Sequence, residues 1–285
     1  MIGDYPDLLP VGLADRDLLD PLFRSLRDGL SELSFAGIYC FREPHAYRLT
    51  RLADGTIVLA GADKGQPFFI CPFSLPPADL LDQLFQRFGV MKLVAQGQVE
   101  PLRKAGLVVT EDRDNFDYLY PREALASLAG RALQRKRNLV HQFTRQYEHE
   151  ARALLPEQTA DAVTVLEAWR AGARDQADYA PARDALEHAA EFGLIGSVFY
   201  VEGAPAGYTL GEFTAGGRMF VVHYEKTIPG MRGLYQVINM NFARSLPTSC
   251  EIINREQDLG DPGLRQAKMT YRPSGFVKKF RARRA

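Results

Sequence analysis

Apolar and polar positions along this chain follow a pattern that occurs twice. Residues 15–35 have helical spacing, with Leu18, Leu22, Leu26, Leu30 and Leu33 on one side. Residues 47–52 read as a strand, Asp54-Gly55 as a hairpin turn, and residues 57–60 as the returning strand. Residues 67–71 form a predicted third strand. Pro77 opens a helix whose apolar face carries Leu80, Leu81, Leu84, Phe85 and Phe88, and residues 90–95 are a fourth strand. The second half repeats that order. Strands at 195–201 and 207–213 flank a turn at 202–205. A third strand covers 218–225, a helix 234–246 and a fourth strand 250–254. The sequel also repeats, with Pro101-Leu102-Arg103-Lys104-Ala105 against Gly263-Leu264-Arg265-Gln266-Ala267. Hairpin, strand, helix, strand, twice over, predicts two copies of one mixed unit, with 46–96 and 195–256 equivalent. The stretch between them, 122–190, reads as mostly helical, with a loop at 172–181. A boundary near 148 gives an N-terminal unit of 1–148 and a C-terminal unit of 149–285.

Composition permits this. At 285 residues and 46% hydrophobic, the chain can bury one large core or two ordinary ones. Its 35 Lys and Arg balance 35 Asp and Glu, so attraction to a nucleic acid or a membrane must come from local asymmetry. No apolar run approaches the roughly 18 residues that span a bilayer. The opening MIGDYPDLLP lacks the basic start and apolar core of a signal peptide, which leads us to expect a cytoplasmic protein. Cys40, Cys71 and Cys250 are odd in number and lie in apolar contexts, as buried thiols do. The chain has no Gly-x-Ser-x-Gly elbow, Walker loop or His-Glu-x-x-His helix, and no metal-ligand spacing is expected.

Local asymmetry is found in two places. Residues 251–285 hold nine Lys and Arg against four Asp and Glu, interleaved with Ile252, Ile253, Leu259, Leu264, Met269, Tyr271 and Phe276. Charges held among apolar groups are costly unless paired or used, so a site is sought here first. If the strand continues, Asn254, Glu256 and Asp258 share a face. Two carboxylates with Arg265 and Lys268 close by could bind an α-amino group or deprotonate an attacking amine. The plain alternative is a charge network that holds the C-terminal extension. His223 and Glu225 share a face of the preceding strand and add a possible base, although a lone His on a strand is more often structural. The second place is residues 125–147, which contain no acidic residue and read as one helix bearing Arg131, Arg135, Lys136, Arg137 and Arg145. Lys136 falls in the sector of Leu128, Ala132, Leu139, Val140 and Phe143, where a lysine must snorkel outwards or meet a carboxylate or phosphate. Glu225, Glu256 or Asp258 is its expected partner. The two halves also differ in one loop. Pro229-Gly230-Met231-Arg232-Gly233-Leu234 enters the second copy's helix, where free N–H groups at the positive end of the dipole can take phosphate. The alternative is a turn that needs glycine for its backbone.

Three stretches together resemble a known family. They are Lys136-Arg137-Asn138 with Phe143, then Gly233-Leu234-Tyr235-Gln236, then the run 254–260 with Gly263, Leu264, Arg265, Lys268, Tyr271, Pro273, Lys278 and Lys279. They resemble the C-terminal domain of phosphatidylglycerol lysyltransferases and its soluble relatives. The resemblance implies an α+β fold of two tandem GNAT-like (acyl-CoA N-acyltransferase-like) units, each a mixed sheet flanked by helices. It implies an acyltransferase with its site in the C-terminal unit, using aminoacyl-tRNA or acyl-CoA as donor substrate and no covalently bound cofactor. tRNA is then the expected partner, and a small molecule or lipid headgroup offering an amine or hydroxyl the acceptor. On that reading Glu256, Asp258, Glu225 and Lys268 are the catalytic candidates. Gly230, Arg232, Gly233, Leu234, Tyr235, Gln236, Asn254 and Arg265 would hold the donor. Lys136, Arg137, Asn138 and the tail 278–284 would meet its phosphates. Two other readings stay open: an acetyl-CoA-dependent N-acyltransferase acting on a small amine, and a non-catalytic module that binds RNA or an acidic partner.

Overall fold

The computed structural model describes residues 2–173 and 176–285. The chain divides into two compact units, one ending at Asp117 and recovering Val277–Ala285, the other Tyr118–Phe276. The first begins with two short strands, β1 (Gly3–Asp4) and β2 (Leu9–Pro10), and two helices, α1 (Arg16–Ser25) and α2 (Phe35–Cys40). Then come β3 (Arg48–Arg51), β4 (Ile57–Asp63), β5 (Gln66–Ile70), α3 (Ala78–Phe88), β6 (Val90–Val94), α4 (Gln96–Lys104) and β7 (Val108–Glu111). The second unit opens on β8 (Asp117–Pro121), α5 (Arg122–Ser127), α6 (Gln134–Gln146), β9 (His149–Ala153), α7 (Thr159–Gly172), α8 (Tyr179–Glu187) and α9 (Ala189–Phe192). It continues through β10 (Ile195–Val201), β11 (Ala204–Thr214), β12 (Met219–Thr227), α10 (Leu234–Ser245), β13 (Ile252–Asn254), α11 (Pro262–Met269) and β14 (Gly275–Val277). The last strand, β15 (Phe280–Arg283), belongs to the first unit.

Both sheets are built to one plan. The first runs β1-β3-β4-β5-β6-β15-β7, and the second β14-β8-β13-β12-β11-β10-β9. In each, three successive strands pair antiparallel, and a helix then carries the chain over to a fourth strand parallel to the third. In each, a strand distant in sequence lies between the fourth strand and the last: β15 between β6 and β7, β8 between β13 and β14. The repeated order expected from the sequence is therefore present in both units. Each has its own core. Phe69, Leu84, Phe85 and Met91 centre the first, and Phe143, Phe199, Phe220 and Val237 the second.

Four expectations need correction. The boundary lies at 117/118 rather than near 148. β8 pairs with β13 (Ile253 opposite Tyr120), and Leu125, Leu133 and Val140 join the second core, so residues 118–148 go with the second unit. The helix expected over 15–35 ends at Ser25; Gly29 has φ +73°, and Leu30 and Leu33 are buried from a turn instead. The single helix expected over 125–147 is broken, because Leu128 (φ +49°) and Gly130 (φ +81°) take left-handed conformations, leaving Arg131 ahead of α6. The loop expected at 172–181 gives way to α8 from Tyr179, and residues 174 and 175 lie outside the described residues.

Candidate active site

The second sheet opens where β12 outruns its parallel neighbour. β12 pairs with β13 through Met219, Phe220 and Val221, and the ladder between these two strands stops there while β12 runs on to Thr227. A bulge sits at the start of the opening. Val222 lies opposite Gly211 and Tyr224 opposite Leu210, leaving His223 as an extra residue. Bulges re-aim side chains, and this one turns the imidazole onto two carboxylates. His223 Nε2 lies 3.0 Å from Glu212 Oε1, and Nδ1 lies 2.7 Å from Glu256 Oε1. Burial alone would push the imidazole's pKa down, but hydrogen bonds and charge from Glu212 and Glu256 outweigh it and hold it at about 10. His223 is thus an imidazolium at neutral pH, so the base considered from the sequence has no free lone pair. His223, Glu212 and Glu256 form a hydrogen-bonded triad. Its accessible member is Glu256, whose side chain is 26% exposed against 4% for Glu212. Glu256 has φ +55°, and its N–H donates to Asn254 Oδ1 at 2.8 Å. A non-glycine residue in that region costs on the order of 1 kcal/mol, which local contacts must offset.

The other carboxylates are engaged differently. Asp258 is fully buried; it accepts both Nε and Nη2 of Arg265 at 2.8 Å, the Gly260 N–H at 2.9 Å, and the Tyr118 hydroxyl. Burial opposes its ionisation, but these donors win and hold its pKa well below the usual carboxylate range. Asp258 and Arg265 therefore fasten the start of α11 and are unavailable to a substrate. Glu225 accepts Arg255 Nη2 at 2.9 Å; burial raises its pKa against the pull of Arg255 and a hydrogen bond from Asn239. Lys268 donates to the carbonyls of Arg255 (2.6 Å) and Gln257, bracing the turn that presents Glu256. Among the described residues Lys136 reaches no carboxylate. Its amine lies 4.3 Å above the Tyr271 ring, because Glu225 is occupied by Arg255 and Asp258 by Arg265. Arg137 donates to the carbonyls of Leu128 and Gly130, closing the break before α6, and Asn138 is exposed. Four cations of the tail are also engaged, Lys278 with Glu111, Arg281 with Asp112, Arg284 with Asp82, and Lys279 buried against Asp117 and Glu32.

At the N-terminus of α10 lies a cleft of about 420 Å³, lined among others by Trp169, Ile228, Pro229, Gly230, Arg232 and Tyr235. Arg232 is exposed, and Gly230 has φ +87° with open space around it. Gly233 has φ +98°, and a Cβ there would lie 2.9 Å from the Leu139 carbonyl oxygen, so this glycine is required by the approach of α6. The Leu234 N–H turns back to Met231 O, and Gln236 and Val237 both donate to Gly233 O. Leu234 is buried and its N–H is already used, which weighs against an oxyanion role; Tyr235 lines the cleft, and Gln236 hydrogen-bonds Tyr271. Sequence reasoning missed Glu212, Trp169 as a cleft wall, and Tyr118. Glu212 was findable, as a lone acid inside an otherwise apolar strand. Among the described residues no group of His, Cys, Asp and Glu is arranged to hold a metal ion, and no helix is long and apolar enough to cross a membrane.

The chain belongs to the family described as phosphatidylglycerol lysyltransferase, C-terminal, which it matches over residues 23–283. It is similar to a solved conserved protein of unknown function from Bacteroides thetaiotaomicron, with 27% identity, full coverage of both chains and a TM-score of 0.85. It also shares its fold with L-PGS from Bacillus licheniformis, at 14% identity, covering 100% of this chain and 94% of that one, with a TM-score of 0.65. The uncharacterized protein MYCGA3080 of Mycoplasmoides gallisepticum is 25% identical over 186 residues, 61% of this chain; the match spans only 57% of that protein's length. The fold is that of two GNAT-like units in tandem, and family and fold together suggest an acyltransferase related to lysylphosphatidylglycerol synthetase.

Proposed function

We propose that the second unit transfers an aminoacyl group from tRNA to an amine or hydroxyl acceptor. The observation that carries this reading is Glu256, an ionisable side chain held at the mouth of a splayed GNAT-like sheet by His223, its backbone N–H fixed by Asn254. An aminoacyl ester is already activated, so its transfer needs positioning and proton removal rather than a covalent enzyme intermediate. The acceptor's lone pair attacks the ester carbonyl while Glu256 takes its proton. The bond to the ribose oxygen then breaks, and Glu256 returns the proton to that oxygen. His223 is a positioning residue here: as an imidazolium it fixes the carboxylate by a hydrogen bond. Arg232 and the cleft beside it would hold the donor's terminal phosphate. The same cleft suits the pyrophosphate of coenzyme A, so acetyl-CoA is the second reading.

The test is thermal stabilisation of the purified protein by charged tRNA, uncharged tRNA, acetyl-CoA and coenzyme A. A ligand that binds the native state raises the midpoint by mass action, by about 2.7 kcal/mol of stability at a hundredfold excess over Kd. Stabilisation by charged tRNA above uncharged tRNA is the expected result. A shift with acetyl-CoA and none with tRNA transfers the assignment to the second reading, and no shift with any of them removes both.

A further inference from the structure

The second sheet ends on β9, whose partner among the described residues is β10 alone. Its residues are exposed from Glu150 to Ala153. The other edge strands of the two sheets are shorter than its five residues: β1 has two, β14 three and β7 four. An exposed edge is a template for a further strand, and folds blunt it with proline, bulges or charge. β9 has no proline, and its pairing with β10 runs without a shift in register. It does carry charge, but of both signs, one on each side of its middle residue, Ala151.

The hydrogen bonds of β9 decide which of its backbone groups face outwards. The Leu154 N–H donates to Gly196 O, and Glu148 O accepts the Glu202 N–H. An antiparallel ladder alternates, so residues 148, 150, 152 and 154 turn their backbone groups to β10. His149, Ala151 and Ala153 turn theirs to the open edge. A second β9, laid antiparallel about a two-fold axis at Ala151, sets Ala151 against its own copy and His149 against Ala153. These are the residues whose N–H and C=O groups point outwards, so each pair closes by hydrogen bonds. Glu150 then falls opposite Arg152 of the second copy, in the closer, non-hydrogen-bonded kind of pair. In the single chain the two side chains meet each other and stay half exposed. The neighbouring registers do not offer this match. An axis at His149 would set Glu150 against Glu148, and an axis at Ala153 would set Arg152 against Leu154. Exposed apolar side chains stand past the end of β9 and at the start of β10, Leu155 and Ile195.

We infer that β9 is a self-complementary docking edge whose partner is a second copy of this chain, the two second sheets joining there into one. The inference rests on no part of the aminoacyl-transfer reading. β12, which carries His223, lies three strands in from this edge, about 14 Å away.

The test is the oligomeric state, read by light scattering on a size-exclusion column. The wild type should be a dimer. Glu150→Arg sets an arginine against Arg152 of the second copy and should be a monomer. Arg152→Glu sets a glutamate against Glu150 and should be a monomer too. Mixed together, the two variants should form a heterodimer, because each supplies the charge that the other lacks. Cross-linking checks the register, since the native cysteines are buried. Ala151→Cys should give a disulfide-linked dimer on mild oxidation, its Cα atoms lying about 5.5 Å apart in the joint. Ala153→Cys should not, because its two copies stand four residues out of step, about 14 Å. A monomeric wild type would leave the edge to some other chain and overturn the inference. So would single charge variants that stay dimeric, a mixture that stays monomeric, or equal cross-linking of the two cysteine variants. If the charge variants do not fold, the cross-linking decides.

Discussion

Gly233→Ala separates a structural glycine from a ligand-binding one. From sequence, a larger residue in the 229–234 loop is expected to crowd a bound phosphate. The structure places the crowding elsewhere. An added Cβ would lie 2.9 Å from the Leu139 carbonyl oxygen and 3.2 Å from Phe143 Cβ, both on α6. The carbonyl is backbone and cannot rotate away, so α6 must shift. Overpacking of this kind costs about 1–3 kcal/mol, and holding φ at +98° with a side chain adds about 1–2 kcal/mol. Gly230→Ala is the control: φ there is +87°, but nothing lies within 4 Å, so only the conformational cost of about 1–2 kcal/mol remains. The difference of about 1–3 kcal/mol corresponds to a melting midpoint lower by about 2–12 °C in Gly233→Ala, at about 2–4 °C per kcal/mol for a unit of this size. Differential scanning calorimetry of the two variants checks it. Equal midpoints would refute the packing argument, as would a Gly233→Ala protein of wild-type stability that has lost only ligand binding.

Three further outcomes follow from the ion clusters. His223 is held at about 10 when folded against an ordinary 6.5, so its stabilisation is complete below about 6.5 and is lost as pH rises through 10. Urea titrations should lose on the order of 3–5 kcal/mol across that window, and the loss should flatten in His223→Gln. Asp258 behaves oppositely: its folded pKa is depressed, so its contribution is present above 3.8 and lost as pH falls. Arg265→Met should cost about 1–3 kcal/mol, discounted because Arg265 is one-third exposed, and move acid unfolding to higher pH; an unchanged acid midpoint would count against the pair. Lys279→Met should cost about 3–5 kcal/mol by stranding Asp117 and Glu32, whereas the half-exposed Lys278 should tolerate the same change; equal melting midpoints would contradict the assignment.

The fold was legible where periodicity and turn chemistry agreed. Asp54-Gly55 marked a hairpin, Pro77 opened α3, and Ile195–Val201 and the helix from Leu234 lie where alternation and helical spacing put them. Spacing misled at 15–35, where Leu30 and Leu33 kept a helical interval without a helix. β8, β14 and β15 were not visible, because short strands rich in charge or aromatics are defined by partners distant in sequence, as β15 is by β6 and β7. The site was legible by region and not by pairing. Residues 254–268 were singled out, but an ion pair is a three-dimensional fact: Asp258 found Arg265, Glu225 found Arg255, and Lys136 was left to Tyr271. The triad escaped because Glu212 lies on a different strand from His223, and only a bulge brings them together.

The most direct test of the proposed chemistry follows radiolabelled aminoacyl groups from charged tRNA into a panel of amine and hydroxyl acceptors, comparing wild type with Glu256→Gln. Glutamine keeps the shape and a hydrogen bond to His223 but cannot take a proton. The account predicts acceptor-dependent transfer by the wild type, slowed on the order of a hundredfold in Glu256→Gln, with tRNA affinity retained. A Glu256→Gln protein that transfers at the wild-type rate, or whose loss of rate merely follows loss of tRNA binding, would contradict it.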